Sequence, residues 1–295
     1  MRKKKGVVKK KIGLSTLKNK AAHSKKKKSI KRKVLHHKKK AALHKKKGPK
    51  RRFFGLTKEE RVPTGIGNYD RLIGGGFEKN STNLIVGGSG IGKSIFATEF
   101  LVDGMKDGEK CLYVTFEETK EQFYHNMKDF GWDLEDYERR ELFYFLEYAP
   151  AKVRTMLEEG GGEIERIILG KKISRIVIDS ITSFALLFRD ELSKRQAALT
   201  LFNMIRGWQC TSLLTLEEES TAADASKGTP KTLEFEVDSL TFLYFVRKKF
   251  RSKRERYIEV IKMRGTEHSR AIYQFHIREK GIFVEKKPAS TSLFK

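Results

Sequence analysis

The stretch LIVGGSGIGKS, residues 84–94, decides how the rest of this chain is interpreted. An apolar run leads into a glycine-rich loop, and apolar residues then recur at helical spacing, which predicts a strand, a loop and a helix. The loop fits G-x-x-x-x-G-K-[ST], a pattern whose backbone N–H groups surround a phosphate chain. Lys93 is expected to reach the β- and γ-phosphates, and the Ser94 hydroxyl to bind Mg²⁺. The predicted nucleotide-binding residues of this loop are Gly87, Gly88, Ser89, Gly90, Ile91, Gly92, Lys93, Ser94 and Ile95.

The positive charge of the chain is concentrated at its N-terminus. Residues 1–52 contain 25 Lys or Arg and no Asp or Glu, which leaves 38 of the 63 basic residues against 37 acidic ones in the remainder. The same segment lacks Phe, Tyr and Trp, so we expect a disordered arm. Its lysines predict salt-sensitive, sequence-independent binding to DNA, RNA or ribosomes. An anionic membrane surface is a weaker alternative, and a merely solvating tail is another.

Composition divides the chain into four segments: a Lys-rich arm at 1–52, a linker at 53–62, one folded domain at 63–286 and a tail at 287–295. Cys111 and Cys210 stand singly in apolar runs, which is typical of reduced core residues in a cytosolic protein. No apolar run is long enough for a membrane span, and the N-terminus lacks the apolar region of a secretory signal. We therefore expect a cytoplasmic protein, with the nucleoid or ribosomes as sites of association.

Two further predicted strands end in carboxylates. The strand at 111–116 is followed by Glu117 and Glu118, and the strand at 175–179 ends in Asp179. Ligands of open parallel sheets bind beyond the carboxyl ends of the strands, and an Asp there positions Mg²⁺. Asp179 is followed by Ser180 rather than Glu, so the carboxylate that orients an attacking water must come from elsewhere. Glu117 and Glu118 are the available pair, although they could also be surface residues that start a helix.

The last third of the chain predicts a change of sheet topology. A helix over about 187–208, a strand at 211–216 and a polar loop at 220–232 come first. Four strands then follow one another through short turns, which predicts antiparallel hairpins. These strands are predicted at Ser239–Arg247, Arg256–Met263, Ala271–His276 and, as a short edge, Ile282–Val284.

Taken in order, these segments resemble the KaiC-like family of RecA-superfamily ATPases. The resemblance rests on Thr64-Gly65-Ile66, the glycines at 74–76, GGSGIGKS at 87–94, TFEE at 115–118, Gly131-Trp132, VIDS at 177–180, VDS at 237–239 and KMRGT at 262–266. It covers Val62–Val284 and has no counterpart for the arm. It implies an α/β fold with a RecA-like P-loop core, in which a mainly parallel sheet is flanked by helices and followed by antiparallel C-terminal strands.

The resemblance also implies an ATP and Mg²⁺ site between the subunits of a ring, usually a hexamer. Its phosphate and magnesium residues would be Lys93, Ser94 and Asp179. Its water-activating pair would be Glu117 and Glu118.

Lys262 and Arg264 match the family pair that reaches the γ-phosphate of the neighbouring subunit. A strand presents positions i and i+2 on one face, which suits that role. A solvated pair on an edge strand is the alternative.

Three functions remain open from the sequence. The first is a ring-forming regulatory or signalling ATPase that is tethered to nucleic acid by its arm and acts on an unidentified protein partner. The second is a recombinase paralogue that assembles on DNA through the ATPase core. The third is an ATP-binding scaffold with negligible turnover, whose arm condenses nucleic acid.

Overall fold

A computed structural model describes residues 61–182, 188, 190–218, 236–247 and 253–290. The predicted arm and the predicted loop at 220–232 lie outside these residues. The strands are β1 Arg61–Val62, β2 Phe77–Glu78, β3 Thr82–Gly87, β4 Cys111–Thr115, β5 Phe143–Glu147, β6 Arg175–Asp179, β7 Thr211–Glu217, β8 Ser239–Arg247, β9 Arg254–Met263, β10 Tyr273–Arg278 and β11 Gly281–Pro288. The helices are α1 Tyr69–Leu72, α2 Lys93–Lys106, α3 Lys120–Lys128, α4 Leu134–Arg139, α5 Pro150–Glu159, α6 Gly162–Lys171 and α7 Glu191–Gly207.

Nine strands form one sheet in the order β11-β10-β9-β8-β3-β7-β6-β4-β5. The six strands from β8 to β5 in that order are mutually parallel, whereas β8, β9, β10 and β11 pair antiparallel to one another. The predicted RecA-like α/β fold, with its antiparallel C-terminal strands, is therefore confirmed.

Both faces of the sheet are buried, because apolar side chains of each central strand point alternately to two cores. In β3, Ile85 packs with α2, α3 and α4, while Leu84 and Val86 pack with α5, α6 and α7. This arrangement explains the continuous apolar runs of the parallel strands. It also brings the carboxyl ends of β3, β4, β6 and β7 to one edge, where the loop of residues 88–92 begins.

Arg175 fixes the start of β6 in the core. Its side chain is only 1% exposed, and it donates to Glu109 and to the carbonyl oxygens of Pro63 and Phe100. Hydrogen bonding and charge from Glu109 raise its pKa despite the opposing effect of burial. Removing one partner of such a buried pair typically costs about 3–5 kcal/mol, so this contact holds the strand that ends in Asp179.

Apart from shifts of one or two residues at the ends of β4, β7, β9 and β10, the structure differs from the predicted elements in four places. Strand β5, with the sequence FYFLE, is not predicted, although its aromatic residues favour a strand. Helix α7 begins at Glu191 rather than near 187, because the Asp190 carboxylate caps it by accepting from the Ser193 N–H. Strand β1 includes Arg61 and Val62 of the predicted linker, where it pairs with β2. Strand β11 runs to Pro288, beyond the predicted short edge and into the predicted tail.

Both cysteines are buried free thiols, as their apolar surroundings in the sequence predict. Among the helices of the described residues, none has the length and apolar character needed to cross a membrane.

Candidate nucleotide-binding site

A cavity of about 300 Å³ opens at the carboxyl edge of the parallel strands. It brings together the glycine-rich loop and the carboxylates that the sequence places after three different strands. Its lining consists of Ser89, Gly90, Gly92, Lys93, Ser94, Ile95, Thr115, Glu117, Glu118, Asp179, Ser180 and Glu217.

The loop requires glycine at two positions for steric reasons. A Cβ atom on Gly87 would lie 2.5 Å from the carbonyl oxygen of Leu243, which is too close for any other residue. Gly92 has a φ of 116°, in the left-handed region, and a Cβ there would lie 2.8 Å from a methyl carbon of Ile277. The chain can therefore turn tightly from β3 into α2. Helix α2 has no side-chain cap at its N-terminus, which leaves backbone N–H groups for an anion.

Lys93, the first residue of α2, has only 8% of its surface exposed. Its ammonium group donates to the carbonyl oxygen of Gly88 at 3.1 Å and lies 3.5 Å from the carboxylate of Glu217. Glu217 is a site residue to which the sequence analysis gives no role. It ends β7, so the rule that identified the carboxylates after β4 and β6 would also have identified it.

Asp179 is held by two hydroxyl groups from neighbouring strands. Tyr113 donates to one carboxylate oxygen at 2.5 Å, and Thr215 donates to the other. The Tyr113 hydroxyl also hydrogen-bonds the side chain of Ser94, and burial raises the Tyr113 pKa well above its usual value. One buried phenol thus links the two residues predicted to bind Mg²⁺. In the sequence, Tyr113 and Thr215 have no feature that distinguishes them from ordinary strand residues.

Glu117 and Glu118 lie in the turn between β4 and α3, not in the first turn of the helix. The Thr115 hydroxyl oxygen accepts from both backbone N–H groups at 3.3 Å and so fixes that turn. The Ser180 hydroxyl donates to Glu117 at 3.3 Å. The Asn126 amide donates to Glu118 at 2.8 Å. Burial, with a smaller contribution from Asp179, raises the pKa of Glu118.

Lys262 and Arg264 lie away from this cavity, near the amino ends of the parallel strands rather than their carboxyl ends. Ser239, the first residue of β8, pairs with Asn83, whereas Gly87 at the other end of β3 leads into the glycine-rich loop. The Lys262 ammonium donates to the carbonyl oxygen of Val237 at 2.8 Å, and the Arg264 guanidinium lies 3.2 Å from the Asp238 carboxylate.

The i, i+2 spacing suggests that Lys262 and Arg264 lie on one strand, but only Lys262 does. Strand β9 ends at Met263, so Arg264 falls in the following turn. Both side chains nevertheless contact the same segment, Val237–Asp238.

The family model described as "ATPase: KaiC" matches residues 62–289, which is most of the chain. The chain belongs to the KaiC ATPase family. The predicted resemblance is thereby confirmed, and with it an ATPase domain of the kind that binds ATP. Residues 1–61 lie outside the match.

Relatives of this KaiC family member include both long and short proteins. The circadian clock protein KaiC3 of Synechocystis is 31% identical over 76% of this chain, but the match spans only 45% of KaiC3. The UPF0273 protein PH0284 of Pyrococcus horikoshii is also 31% identical, and there the match spans 93% of the relative. The crystal structure of the KaiC-like protein PH0186 from Pyrococcus horikoshii superposes with a TM-score of 0.67, at 32% identity, over 76% of this chain and 98% of that one.

Proposed function

We propose that this KaiC family member is a ring-forming ATPase that acts as a regulatory switch and is tethered to nucleic acid by residues 1–52. One observation carries the proposal. The phosphate loop and the carboxylates line one cavity at the carboxyl ends of the parallel strands. Lys262 and Arg264 lie near the amino ends of the same strands. A site divided in this way is complete only when a second subunit supplies the missing cations, and repeated head-to-tail contacts of that kind close into rings.

The cavity suits ATP and Mg²⁺ in the chemistry of its lining. The uncapped N-terminus of α2 and Lys93 suit phosphate oxygens. Ser94 and Asp179 offer oxygen ligands, and no cluster of three or more His, Cys, Asp or Glu in the described residues forms a metal site of its own. Mg²⁺ commonly takes one or two protein oxygens together with substrate phosphates, so such a sparse ligand set is suitable for it. When bound, Mg²⁺ would neutralise the charge that develops on the phosphates.

The residues that line the cavity have different roles in hydrolysis. Lys93 leaves Glu217 and binds phosphate. Tyr113 and Thr215 keep the Asp179 carboxylate oriented. Glu117 and Glu118 hold the attacking water and accept its proton, and the raised pKa of Glu118 makes it a stronger base than an ordinary glutamate.

The neighbouring subunit would supply Lys262 and Arg264. A cation delivered in this way stabilises the charge of the transition state, and an arginine supplied in trans is worth on the order of 10³–10⁵ in rate. Hydrolysis would then depend on assembly, which is the property that a switch requires.

The arm is assigned to nucleic acid on composition. Its 25 basic residues are not offset by any carboxylate within the same 52 positions. Affinity from such a segment depends steeply on salt, because each phosphate contact releases counterions.

A test combines ATPase assays with sedimentation of the full chain, with and without Mg²⁺-ATP. We expect a ring-sized species, measurable hydrolysis, and loss of hydrolysis in Glu117→Gln/Glu118→Gln while ATP still binds. A protein that remains monomeric with ATP contradicts the proposal. ATP binding without any hydrolysis would favour the scaffold.

The arm is tested separately in the full chain. Replacing the cluster Lys25, Lys26, Lys27 and Lys28 by Gln should weaken oligonucleotide binding and leave ATPase activity unchanged. Hydrolysis that is still stimulated by DNA after this change would favour the recombinase-type function.

A further inference from the structure

The hairpin formed by β8 and β9 contains a second concentration of positive charge. Residues 247–256 read RKKFRSKRER, with seven basic residues and one acidic residue in ten positions. Outside this segment, the chain after residue 52 has 31 basic and 36 acidic residues, so the positive charge is local to the hairpin. We call Phe245, Arg247, Lys253, Arg254 and Arg256 the hairpin stem.

The hairpin stem extends beyond the end of β3, on the side of the phosphate loop. Leu243 of β8 pairs with Gly87, the last residue of β3. Strand β8 continues for four more residues to Arg247, a distance of about 13 Å at the rise of a strand. On the returning strand, the Arg256 side chain donates through Nε to the carbonyl oxygen of Ile91 at 3.2 Å. The stem is therefore adjacent to the backbone of the loop.

Like charges face one another in the stem. Arg247 and Arg254 are direct partners in the antiparallel register, a placement that destabilises a hairpin. The guanidinium carbons of Arg254 and Arg256 lie 4.5 and 5.4 Å from the centre of the Phe245 ring.

In the part of the chain that the structure describes, Arg247, Lys253 and Arg254 form no ion pair with an acidic residue. The carboxylate of Glu255 accepts a hydrogen bond from the Tyr257 hydroxyl. Burial and the nearby charge of Arg254 lower the pKa of Arg256. A set of cations that repel one another in this way suits an external polyanion.

We propose that the hairpin stem binds the phosphate backbone of a nucleic acid beside the nucleotide cavity. Guanidinium groups match phosphate oxygens with two parallel hydrogen bonds, and their planes offer stacking surfaces to unpaired bases. Arg247, Lys253 and Arg254 make the phosphate contacts. Arg256 connects the occupied stem to the Ile91 backbone. This site belongs to the ATPase domain and does not depend on binding by residues 1–52.

The test measures binding of a fluorescent single-stranded oligonucleotide, as DNA and as RNA, to the full chain over a range of salt concentrations. The variant is Arg247→Gln/Arg254→Gln. Its matched control is Lys152→Gln/Arg166→Gln, which removes two exposed charges from α5 and α6. We expect the variant to bind more weakly and its log–log salt slope to be shallower by about 1.4, from two contacts at roughly 0.7 each. The control pair should match the unaltered chain.

The outcomes separate this proposal from the function proposed above. Equal salt slopes for the hairpin variant and its control overturn the present proposal. This holds whether or not the arm variant, with Lys25 to Lys28 replaced by Gln, binds the oligonucleotide more weakly. A changed sedimentation pattern of the hairpin variant with unchanged oligonucleotide affinity also overturns it, because the stem would then contact a second subunit. If the double variant does not fold, Lys253→Gln alters one exposed side chain and should reduce the slope by about 0.7.

Discussion

The ammonium group of Lys93 lies 3.5 Å from the carboxylate of Glu217, so the lysine of the phosphate loop has an anionic partner before any phosphate arrives. The pair joins the first residue of α2 to the last residue of β7. A phosphate chain would compete with Glu217 for the same ammonium group, and the two anions would repel each other across the cavity. We therefore expect Glu217 to oppose nucleotide binding while it keeps Lys93 in position.

Neutralising this partner should tighten nucleotide binding. In Glu217→Gln we expect the affinity for ATP to rise roughly two- to fivefold, the range allowed by a half-exposed ion pair worth up to about 1 kcal/mol. Titration with a fluorescent ATP analogue at fixed Mg²⁺ measures this change. Glu158→Gln, on the exposed side of α5, is the control. Weaker binding in Glu217→Gln would show that the carboxylate assists the nucleotide.

The two carboxylates after β4 should differ in their effect on the pH dependence of hydrolysis. Replacing either Glu117 or Glu118 by Gln should lower kcat by about 10²–10⁴, the usual contribution of a general base. Because the pKa of Glu118 is raised, its carboxylate form is lost as the pH falls through a range above that of an ordinary glutamate. The acid limb of the kcat profile should therefore lie at higher pH than the titration range of an ordinary glutamate. It should disappear in Glu118→Gln.

Steady-state rates from mildly acidic to alkaline pH test this assignment. The Glu117→Gln variant serves as the comparison, since it should keep the acid limb at a lower overall rate. An unchanged acid limb in Glu118→Gln would assign that limb to another group.

The hydroxyl groups that hold Asp179 should determine how much Mg²⁺ the proposed ATPase activity needs. Tyr113→Phe preserves the ring packing but removes the link between Ser94 and Asp179. Loss of such a supporting contact typically costs about 10–100-fold in metal affinity. We expect half-maximal ATPase activity to require at least about tenfold more Mg²⁺, with a smaller effect on the maximal rate. Tyr144→Phe removes an exposed hydroxyl and should leave the requirement unchanged.

The sequence was sufficient for features that depend on local pattern. GGSGIGKS, the glutamates that follow β4 and the strand that ends in Asp179 each carry their signal within a few residues, and the position of carboxylates at strand ends follows from parallel topology. The aromatic residues of β5 favour a strand, but its place in the sheet is decided by pairing with β4, a segment distant in the chain. Such dependence on neighbours is usual for strands.

Tyr113 and Thr215 could not be assigned from the sequence for a related reason. Their hydroxyls acquire a role only when strand order places β4 and β7 on either side of β6, and that order does not follow the order of the chain. Arg264 follows the last residue of β9, so the rule that positions i and i+2 of a strand share a face does not apply to Lys262 and Arg264. Contacts between distant segments are thus the features that could not be predicted from the sequence.

A buried carboxyl on α2 should make the stability of the domain depend on pH. Burial raises the pKa of Glu99 to about 8, against the lowering effects of the Ile282 N–H and Lys106 and with smaller raising effects of Asp103 and Asp70. The folded chain therefore holds this proton more tightly than the unfolded chain. The resulting stability is fully present below the ordinary Glu pKa and is lost as the pH rises towards about 8.

Glu99→Gln should remove this dependence. We expect its Tm to be similar to that of the unaltered chain under acidic conditions and progressively higher as the pH approaches 8, by about 2–4 °C for each kcal/mol. Thermal unfolding followed by circular dichroism measures the difference. Glu78→Gln, a half-buried side chain on β2, is the control. A constant difference in Tm across this pH range would contradict the assignment.

Shared active sites predict that two inactive variants restore activity when they are mixed. Lys93→Ala disables the phosphate loop of its own subunit, and Arg264→Ala removes the cation that a subunit would offer to its neighbour. In a mixed ring, an Arg264→Ala subunit still has an intact loop and can receive Arg264 from a Lys93→Ala neighbour.

Random assortment of equal amounts of the two variants makes about one quarter of the sites complete. We therefore expect about one quarter of the normal ATPase rate after subunit exchange, against almost none for either variant alone. A mixture that stays inactive, although sedimentation shows mixed rings, would place both groups in one subunit and remove the main support for the proposed ring.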